Sequence, residues 1–459
     1  MDHDDLCHWS KVAADWVRGY HAGLRDRPVR AQTAPGATAA QLPPAPPETA
    51  EPVETILADF DRIVPPAMTH WQHPRFFAYF PANAAPASML AEQLANAMAA
   101  QAMLWQTAPA ATEIEAVMVR WMAQALGLPF TQGTIHDSAT TATLSAVLTM
   151  RERALGWAGN AQGLAGGPPL RIYASDQTHS SVDKAVRIAG IGQENLVKIP
   201  TTLAGAMKPA ALAGAIAADR AAGLRPAGVV LCAGGTSVGA FDRIAETVAV
   251  ARQAGLYTHV DAAWAGSAMI CPEFRPLWDG ADRADSLVMN PHKWLGAQFD
   301  CAIQFLADPE PQIRTLGLRP DYLQTPGQDA IVNFNEWTVP LGRRFRALKL
   351  WFVLRAYGLE GLRARIRNHV AWAGELAEAV AGIPGVTLTS PPSLSLFSFA
   401  LADDAATEAL LARINNDGRV YLTQTRHRGR FVIRVQVGQF DCTRDDVMTV
   451  ATVLRELLG

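Results

Sequence analysis

Apolar residues near the start of the chain recur three and four positions apart. This spacing over residues 6–20 predicts an amphipathic helix with an aromatic stripe. The residues of the stripe are Leu6, Trp9, Ala13, Trp16, Val17 and Tyr20. The stretch 34–52 is rich in Pro and Ala, so it predicts a semi-rigid connector. The pattern alone leaves open whether the helix packs on its own subunit or on another.

Between residues 74 and 360, helical patterns alternate with short β-rich runs. A helix is predicted from Pro109, with Gly127 and Pro129 ending it. The predicted strands are Leu170–Ser175, Gly228–Ala233, Tyr257–Asp261, Ser286–Met289 and Cys301–Ala307. Because helix-like segments separate several of them, an α/β domain with a mostly parallel sheet is expected. The most apolar stretch, Ala87–Trp105, is interrupted by polar residues, so it predicts a buried helix and not a membrane span.

The end of the chain predicts a smaller α+β domain. A helix after Ile366 is followed by the strand-like runs Leu394–Ala400 and Phe431–Val437. The expected organisation is therefore an N-terminal helical arm and linker over 1–73, a large domain over 74–365 and a small C-terminal domain over 366–459.

Composition and charge narrow the class of protein. The 459 residues exceed one usual domain, and 49% hydrophobic with 18% charged residues is ordinary for a protein with a large core. The net charge is −3 and no basic stripe is present, which argues against a nucleic-acid partner. The acidic N-terminus lacks the plan of a signal peptide, and five cysteines without a CxxC pair fit a reducing cytosol. A cytoplasmic protein without a metal site is expected.

A lysine, Lys293, lies in an apolar stretch just after the predicted strand Ser286–Met289. Burying its cation is costly, so desolvation is expected to lower the pKa of the amine. A neutral amine can form an imine with an aldehyde. Taken alone, however, the lysine is better explained by a side chain that packs its stem and extends its ammonium to water.

An acidic residue, Asp261, ends the predicted strand Tyr257–Asp261. The pyridine nitrogen of pyridoxal 5′-phosphate (PLP) needs a carboxylate partner to stay protonated, and Asp261 suits that role. The small Ala263 would leave room for one face of a ring. Taken alone, an Asp in this position is better explained as the cap of the next turn.

Two further segments contain candidate ligands. Small hydroxyl residues from Ser138 open a predicted helix, where N–H groups and hydroxyls can hold a phosphate. His179 follows the strand Leu170–Ser175, where α/β proteins gather their ligand sites. By itself, Ser138 is more simply explained as a helix cap, and His179 as a solvated loop histidine.

These segments, in this order, resemble the group II PLP-dependent decarboxylases, the family of the aromatic-L-amino-acid decarboxylases. The likeness covers about residues 70–365 and includes HPRFFAYFP, SDQTHSSVDKA, HVDAAWAGSAMICPEFRP, NPHKWLGAQFDC and PLGRRFRALKLWFVLRAYG. It implies a large domain of fold type I, the aspartate-aminotransferase-like α/β fold. Several ordered motifs are far more specific than one short pattern.

The resemblance also assigns residues to the cofactor. They are Ser138, Ala139, Thr236, Asp261, Ala263, Asn290, His292 and Lys293. In this assignment Lys293 carries PLP as an imine, Asp261 pairs with the pyridine nitrogen and His179 stacks on the ring. The phosphate is held by Ser138, Ala139 and His292.

The stretch 316–328 resembles the family's mobile catalytic loop. Tyr322 matches the tyrosine that gives a proton to the substrate α-carbon, and some aldehyde-forming relatives have Phe there. The catalytic residues implied are therefore Lys293, Tyr322, His179 and Asp261. A tyrosine at position 322 favours decarboxylation to an amine.

The resemblance implies a substrate pocket with aromatic residues, which favours an aromatic L-amino acid (tryptophan, phenylalanine, tyrosine or DOPA). The implied pocket residues are Trp71, Tyr79, Phe80, Pro81, Ala82, Gln101, Met103, Phe299 and Gly342. Ala82, Gln101 and Met103 depart from the mammalian pattern, and the last two would come from the partner in a homodimer with shared active sites. A non-aromatic substrate and aldehyde synthesis remain the alternatives.

Overall fold

A computed structural model describes residues 1–318 and 331–459. The Cα positions divide into two compact units. Unit 1 comprises Met1–Pro81, Trp372–Pro392 and Phe397–Gly459, and unit 2 comprises Ala82–Ala371 and Ser393–Leu396. The domain boundaries that the sequence predicts at residues 73 and 365 stay a prediction. Tyr322 lies outside the described residues.

Helices and strands alternate through most of the chain. The α-helices of the described residues are α1 (His3–Ala22), α2 (Val53–Ile63), α3 (Pro86–Ala97), α4 (Pro109–Leu126), α5 (Ala139–Ala154), α6 (Gly159–Gln162), α7 (Ser181–Ile188), α8 (Pro209–Ala221), α9 (Ile244–Gln253), α10 (Pro291–Trp294), α11 (Glu310–Leu316), α12 (Arg346–Ala381), α13 (Asp404–Asp417) and α14 (Arg444–Leu458). The strands are β1 (Gln132–His136), β2 (Leu170–Ser175), β3 (Leu196–Ile199), β4 (Arg225–Cys232), β5 (Tyr257–Asp261), β6 (Ser286–Met289), β7 (Ala302–Leu306), β8 (Thr387–Ser393), β9 (Leu396–Ala400), β10 (Thr423–His427) and β11 (Arg430–Gln436).

Unit 2 is built on a seven-stranded sheet within the described ranges, with the order β1-β7-β6-β5-β4-β2-β3. The strands from β6 to β3 run parallel, whereas β7 is antiparallel to both β6 and β1. The side chains of β5 and β6 are buried throughout, as expected of parallel strands covered on both faces. The predicted α/β class with a mostly parallel sheet is confirmed.

This topology gathers the loops that contain the candidate chemistry. Parallel strands end at one edge of a sheet, and ligand sites form in the loops beyond that edge. The segments that follow β2, β4, β5 and β6 contain His179, Thr236, Ala263 and Lys293, respectively. The sheet order therefore explains why residues distant in sequence meet.

Local signals set the bounds of the two helices before and after β1. Pro109 occupies the first turn of α4, where a missing N–H costs nothing, and Gly127 ends the helix with a left-handed φ of 75°. Ser138 caps α5 by accepting a hydrogen bond from the Thr141 N–H. Both helix starts are as predicted.

Unit 1 has its own sheet and core. The order of its four strands, counted in the described chain, is β10-β11-β9-β8. Buried side chains from α13, α14 and the sheet, such as Ile414, Val450 and Val435, form the core. The N-terminal segment is tied to this unit by the ion pair of Arg25 with Asp446, whose nitrogen and oxygen lie 2.7 Å apart.

One helix prediction is wrong, and one strand begins later than predicted. The segment Ala87–Trp105 is not one buried helix, because α3 ends at Ala97, before Ala99 takes a left-handed φ of 47°. The apolar Leu90, Leu94 and Met98 are exposed in this chain. The predicted strand Leu394–Ala400 is present as β9 but begins two residues later, at Leu396, because Leu394, with φ of 52°, lies in the turn between β8 and β9.

Several strands escaped sequence reasoning. The strand β8 contains two prolines, which a strand tolerates at the edge of a sheet, where β8 lies. The strands β1 and β3 are short, and neither has an alternating pattern strong enough to predict it. None of the helices in the described ranges combines the length and the apolar character needed to cross a membrane.

Candidate active site

A cavity of about 280 Å³ lies in unit 2, where the loops after the parallel strands meet. All the residues assigned to the cofactor by resemblance line it, as do His179 and Phe299. The lining residues among those predicted are Ser138, Ala139, His179, Thr236, Asp261, Ala263, Asn290, His292, Lys293 and Phe299. The structure thus brings the predicted cofactor residues together, while their individual roles stay predictions.

The carboxylate of Asp261 is held in a fixed orientation at the end of β5. Its side chain is 9% exposed, and Oδ1 accepts a hydrogen bond of 3.0 Å from the Ala263 N–H. The next residue, Trp264, donates its indole N–H to the Gly234 carbonyl at 2.5 Å. Because this bond joins the loops after β5 and β4, the carboxylate faces the cavity from a rigid wall.

A buried histidine, His259, shares a face of β5 with Asp261, since residues two apart on a strand point the same way. Its Nδ1 lies 2.7 Å from the Ser286 hydroxyl and its Nε2 3.3 Å from the Thr143 hydroxyl. Burial lowers the pKa of His259 to about 4. The ring is therefore neutral near pH 7 and places no second positive charge behind Asp261. Sequence reasoning passed over this histidine.

Lys293 projects from a short turn that the backbone holds firmly. Its N–H donates to the Asn290 carbonyl at 3.0 Å, and its carbonyl accepts from the Asn83 side-chain amide at 2.7 Å. The side chain is partly buried and lines the cavity. An amine in such a place is suited to forming a covalent bond with an aldehyde bound in the cavity.

The start of α5 and His292 form the anion-binding side of the cavity. Ser138, Ala139 and Thr140 at the helix N-terminus line it, where free N–H groups and the helix dipole favour an anion. Nδ1 of His292 accepts from the Cys301 N–H at 2.9 Å, so its proton is on Nε2. Burial and the nearby Lys293 charge lower the pKa of His292 to about 3. His292 is thus a neutral hydrogen-bond donor.

His179 lies at the mouth of the cavity. Its Nδ1 accepts a 3.1 Å hydrogen bond from the Ser181 N–H, which orients the ring and leaves the proton on Nε2. Partial desolvation lowers the pKa of His179, while the Asp261 charge acts in the opposite direction. A neutral ring suits stacking on a flat ligand.

A second acidic residue, Asp242, supports the cavity from behind and was not found from the sequence. Its carboxylate accepts 2.7 Å hydrogen bonds from the Cys232 and Met207 N–H groups. Burial raises the pKa of Asp242 to about 6. These bonds fix the end of β4, and Cys232 itself lines the cavity beside Thr236. No local motif marks Asp242, because its partners come from separate segments.

The cavity fits PLP by the chemistry of its walls. It offers an amine for the aldehyde, a buried carboxylate for the pyridine nitrogen and uncharged N–H donors for the phosphate. Two buried polar atoms at its walls, Asn290 Oδ1 and Ser181 Oγ, have no hydrogen-bond partner among the described residues. A polar ligand in the cavity would supply hydrogen-bond partners for both atoms.

The predicted pocket residues Gln101, Met103 and Gly342 form a separate cluster in unit 2. The Met103 carbonyl accepts from the Asn335 N–H at 3.1 Å, and Gln101 Oε1 accepts from the Arg343 N–H at 2.7 Å. A Cβ atom at Gly342 would lie 3.2 Å from Gln101 Nε2. Neither these residues nor Ala82 line the cavity in this chain.

The other predicted pocket residues belong to unit 1, where they form an aromatic group. The rings of Trp71 and Tyr79 stack with centroids 5.9 Å apart, and Tyr79 has a left-handed φ of 45°. The Arg434 guanidinium lies 5.1 Å from the Phe80 ring centroid. Pro81 follows, close to Gly438.

Unit 1 also adds a residue that sequence reasoning missed, Tyr421. Its hydroxyl lies 3.4 Å from that of Tyr79, and burial raises its pKa to about 12. Tyr421 therefore extends the aromatic group as a neutral phenol. Nothing in its local sequence distinguishes it from a core tyrosine.

Comparison of the sequence with known proteins points to one protein family. The conserved domain of pyridoxal-dependent decarboxylases matches residues 35–402. An aromatic-L-amino-acid decarboxylase from Cavia porcellus is 38% identical over 100% of this chain and 98% of that protein. A phenylacetaldehyde synthase from Arabidopsis thaliana is 37% identical over 95% of this chain and 92% of that protein.

A solved structure confirms the predicted fold. The Oryza sativa TDC crystallised with PLP and tryptamine superposes with a TM-score of 0.96, at 34% identity, over 100% of this chain and 99% of that one. The chain therefore belongs to the pyridoxal-dependent decarboxylase family, and its cofactor is PLP.

Proposed function

We propose that this PLP-dependent decarboxylase converts an aromatic L-amino acid to the corresponding amine and carbon dioxide. The observation that carries the proposal is the cavity, in which Lys293, Asp261 and His179 line one space. The Cavia porcellus relative, named for aromatic L-amino acids, supports the class of substrate. A tyrosine at position 322 supports the amine as product.

Each residue of the cavity would have a separate role in the reaction. PLP supplies an electron sink for the charge left on the substrate α-carbon when carbon dioxide departs. The Asp261 carboxylate would keep the pyridine nitrogen protonated, and the neutral His259 behind it leaves that negative charge unopposed. The N-terminus of α5 and His292 Nε2–H would hold the phosphate. Lys293 would bind the aldehyde and later release the amine.

The fate of the α-carbon depends on a proton donor. In the proposed reaction the phenol of Tyr322 gives its proton to that carbon, and the amine leaves. His179, a neutral ring at the cavity mouth, would help to place the substrate carboxylate. General acid catalysis of this kind contributes roughly 10²–10⁴-fold to a rate.

An aromatic substrate is favoured by the residues assigned to its side chain. Trp71, Tyr79 and Phe80 supply flat apolar surface, and Phe299 lies at the cavity with its ring 4.7 Å from that of His292. Gly342 would leave space for a large ring, and Gln101 offers an amide beside it. These assignments belong to the proposal.

Aromatic aldehyde synthesis is the second candidate, because the Arabidopsis thaliana relative is a phenylacetaldehyde synthase of nearly the same identity to this chain. The two reactions differ in their products. Simple decarboxylation gives carbon dioxide and amine, whereas decarboxylation coupled to oxidative deamination consumes oxygen and gives carbon dioxide, aldehyde, ammonia and peroxide. Purified enzyme that yields aldehyde in place of amine would overturn the first candidate.

Assembly and location are further parts of the proposal. We expect a homodimer with shared active sites, since Gln101 and Met103 do not line the cavity of their own chain. The exposed Leu90, Leu94 and Met98 offer an apolar surface for a partner. A cytoplasmic location is consistent with five free cysteines. A fully active monomer in light scattering would contradict the dimer.

A substrate panel tests the proposed function. The enzyme is incubated with PLP and each of the twenty amino acids or DOPA, and carbon dioxide and amine are measured. Aromatic amino acids should react with the highest kcat/KM. Turnover of only glutamate, histidine or aliphatic amino acids would contradict the aromatic pocket.

A further inference from the structure

A short segment of unit 2, residues 337–343, passes from the buried Trp337 to the buried Arg343 and contains Gly342. We name it the selectivity arch. Its Val339 and Leu341 side chains are exposed at 47% and 45%. The Thr338 hydroxyl lies 3.0 Å from both the Phe334 and Pro340 carbonyls, so the arch has little freedom of its own. Its position depends on what holds its two ends.

One end of the arch is held by a pair of buried glutamines. Gln312 on α11 donates from Nε2 to the Trp337 carbonyl at 2.7 Å. The Gln312 and Gln304 amides face each other with two hydrogen bonds of 3.0 Å. Gln304, on β7, also forms a hydrogen bond with His136, and its Oε1 lies 2.8 Å from His136 Nε2. The exposed fraction of these side chains is 0% for both glutamines and 2% for His136.

The Trp337 carbonyl determines the orientation of every group in this chain of hydrogen bonds. A carbonyl only accepts, so the Gln312 atom facing it is the NH₂ group. The Gln312 oxygen then requires the NH₂ of Gln304, and the Gln304 oxygen requires a proton on His136 Nε2. Burial lowers the pKa of His136 to about 4, so the ring keeps this single proton near pH 7. The network has one arrangement, which makes it rigid.

The other end of the arch is held by a different set of groups. The Arg343 N–H donates to Gln101 Oε1 at 2.7 Å, and its guanidinium forms a buried ion pair with Glu115 at 2.6 Å. The same guanidinium donates to the Ile135 carbonyl at 2.9 Å. Both ends are therefore tied to the β1 and β7 edge of the sheet. A shift at Trp337 cannot be absorbed at Arg343 and must move the residues between them.

We propose that the Gln304–Gln312 pair is a positioning device that sets substrate selectivity through the selectivity arch. It touches neither cofactor nor substrate and acts by fixing the main chain that presents Gly342. This inference rests on the proposed function, which assigns Gly342 to the substrate pocket. Removing the pair changes the ratio of kcat/KM for tryptophan to that for tyrosine and leaves PLP binding intact.

The test uses the variants Gln312→Met, Gln304→Met and their combination in the PLP-loaded enzyme. Methionine matches the shape of glutamine but cannot donate to the Trp337 carbonyl. We expect Gln312→Met to change the tryptophan-to-tyrosine ratio by about fivefold or more, mainly through KM. The Kd for PLP should stay within about twofold, because the hydrogen bonds of the pair described above go to His136 and Trp337, which do not line the cavity.

The double variant separates positioning from packing. Replacing both amides removes the unpaired NH₂ group of Gln304 but leaves His136 Nε2–H without its acceptor, so the Tm of the double variant should stay close to that of Gln312→Met. Its selectivity should remain altered, because the Trp337 carbonyl still lacks its donor. Recovery of both Tm and selectivity would show a packing role only and would overturn the proposal. So would an unchanged ratio in PLP-loaded Gln312→Met.

A matched control is Asn415→Leu in unit 1. Asn415 is also buried, and its amide bonds both Leu422 backbone groups at 3.1 Å. This variant should lower Tm without changing the selectivity ratio. Wild-type enzyme that makes no amine from any aromatic amino acid would contradict the proposed function itself. A wild type that discriminates, with variants that discriminate equally, would contradict only the role of the glutamine pair.

Discussion

The cofactor cavity and the selectivity arch are two parts of unit 2 that are built in different ways. The cavity takes its residues from loops that follow neighbouring parallel strands, so Asp261 and Lys293 meet because of the sheet order. The arch is held by side chains from several separate segments, such as Gln312 and Glu115. The position of the cofactor residues thus depends on the order of strands in the sheet, whereas the position of the arch depends on a few buried hydrogen bonds.

The largest expected effect comes from removing the amine of the cavity. Lys293→Ala should lower kcat by roughly 10⁴-fold or more, the order of loss when a group that acts covalently is deleted. It should also abolish the borohydride-sensitive absorbance of bound PLP. Lys198→Ala is the control, because the Lys198 amine lies at the surface, where it pairs with Asp183 and donates to the Thr178 hydroxyl at 3.4 Å. A Lys293→Ala enzyme that keeps about a tenth or more of the wild-type activity would refute the proposed role of the lysine.

Removing the proposed proton donor should change the product and spare the cofactor. Tyr322→Phe should lower the rate of amine formation by roughly 10²–10⁴-fold, because the α-carbon loses its acid. Aldehyde, ammonia and peroxide should rise in step with oxygen consumption, measured with an oxygen electrode. The control Tyr357→Phe, on α12, should keep the wild-type products. Unchanged amine formation in Tyr322→Phe would assign the proton to another group.

Acid should destabilise the wall of the cavity through its buried histidine. The pKa of His259 in the folded protein is about 4, below the ordinary unfolded value of about 6.5. Between these two pH values the unfolded chain therefore binds more protons than the folded protein does. Above about pH 6.5 the neutral His259 makes its full contribution to the free energy of unfolding. This contribution falls by about 1.4 kcal/mol per pH unit as the pH drops toward 4.

The variant His259→Gln should therefore show a shallower fall of Tm with acid than the wild type. His3→Gln is the control, since His3 is exposed. Melting curves between about pH 4 and 8 at constant PLP measure the slopes. Equal slopes for the wild type and His259→Gln would mean that the histidine is protonated in the folded protein.

The smallest expected effect is at the arch. In Gly342→Ala the new methyl group would lie 3.2 Å from Gln101 Nε2, the end of a flexible side chain that can move aside. We expect a change of about threefold to tenfold in tryptophan-to-tyrosine selectivity and little loss of Tm. In a Gln101→Ala background the effect of Gly342→Ala should shrink. Independent effects of the two substitutions would show that they do not share a contact.

Much of the cavity could be predicted because its residues lie in short motifs at strand ends. The strands β2, β5 and β6 were predicted with their bounds, and a strand end places the next residue at the edge of the sheet. The resemblance assigns Lys293 and Asp261 to one cofactor, and their places after neighbouring strand ends agree with that assignment. Ser138 was expected to open α5, because a hydroxyl residue before a helical pattern is a strong local signal.

The rest depends on contacts between distant segments, which leave no local signal. Gln304 and Gln312 look like ordinary polar residues until β1, β7 and α11 are packed together. Asp242 and His259 are likewise defined by partners that folding supplies. The strand β8 was missed because prolines argue against a strand, although an edge tolerates them.

The most direct test of the central claim is a product balance on the wild-type enzyme. Purified protein with PLP is supplied with L-tryptophan, L-phenylalanine, L-tyrosine or L-DOPA under air, and carbon dioxide, amine, aldehyde and peroxide are measured together. The account predicts amine equal to carbon dioxide, with little aldehyde or peroxide, for at least one of these substrates. Aldehyde and peroxide in amounts equal to carbon dioxide, or no reaction with any of the four, would contradict it.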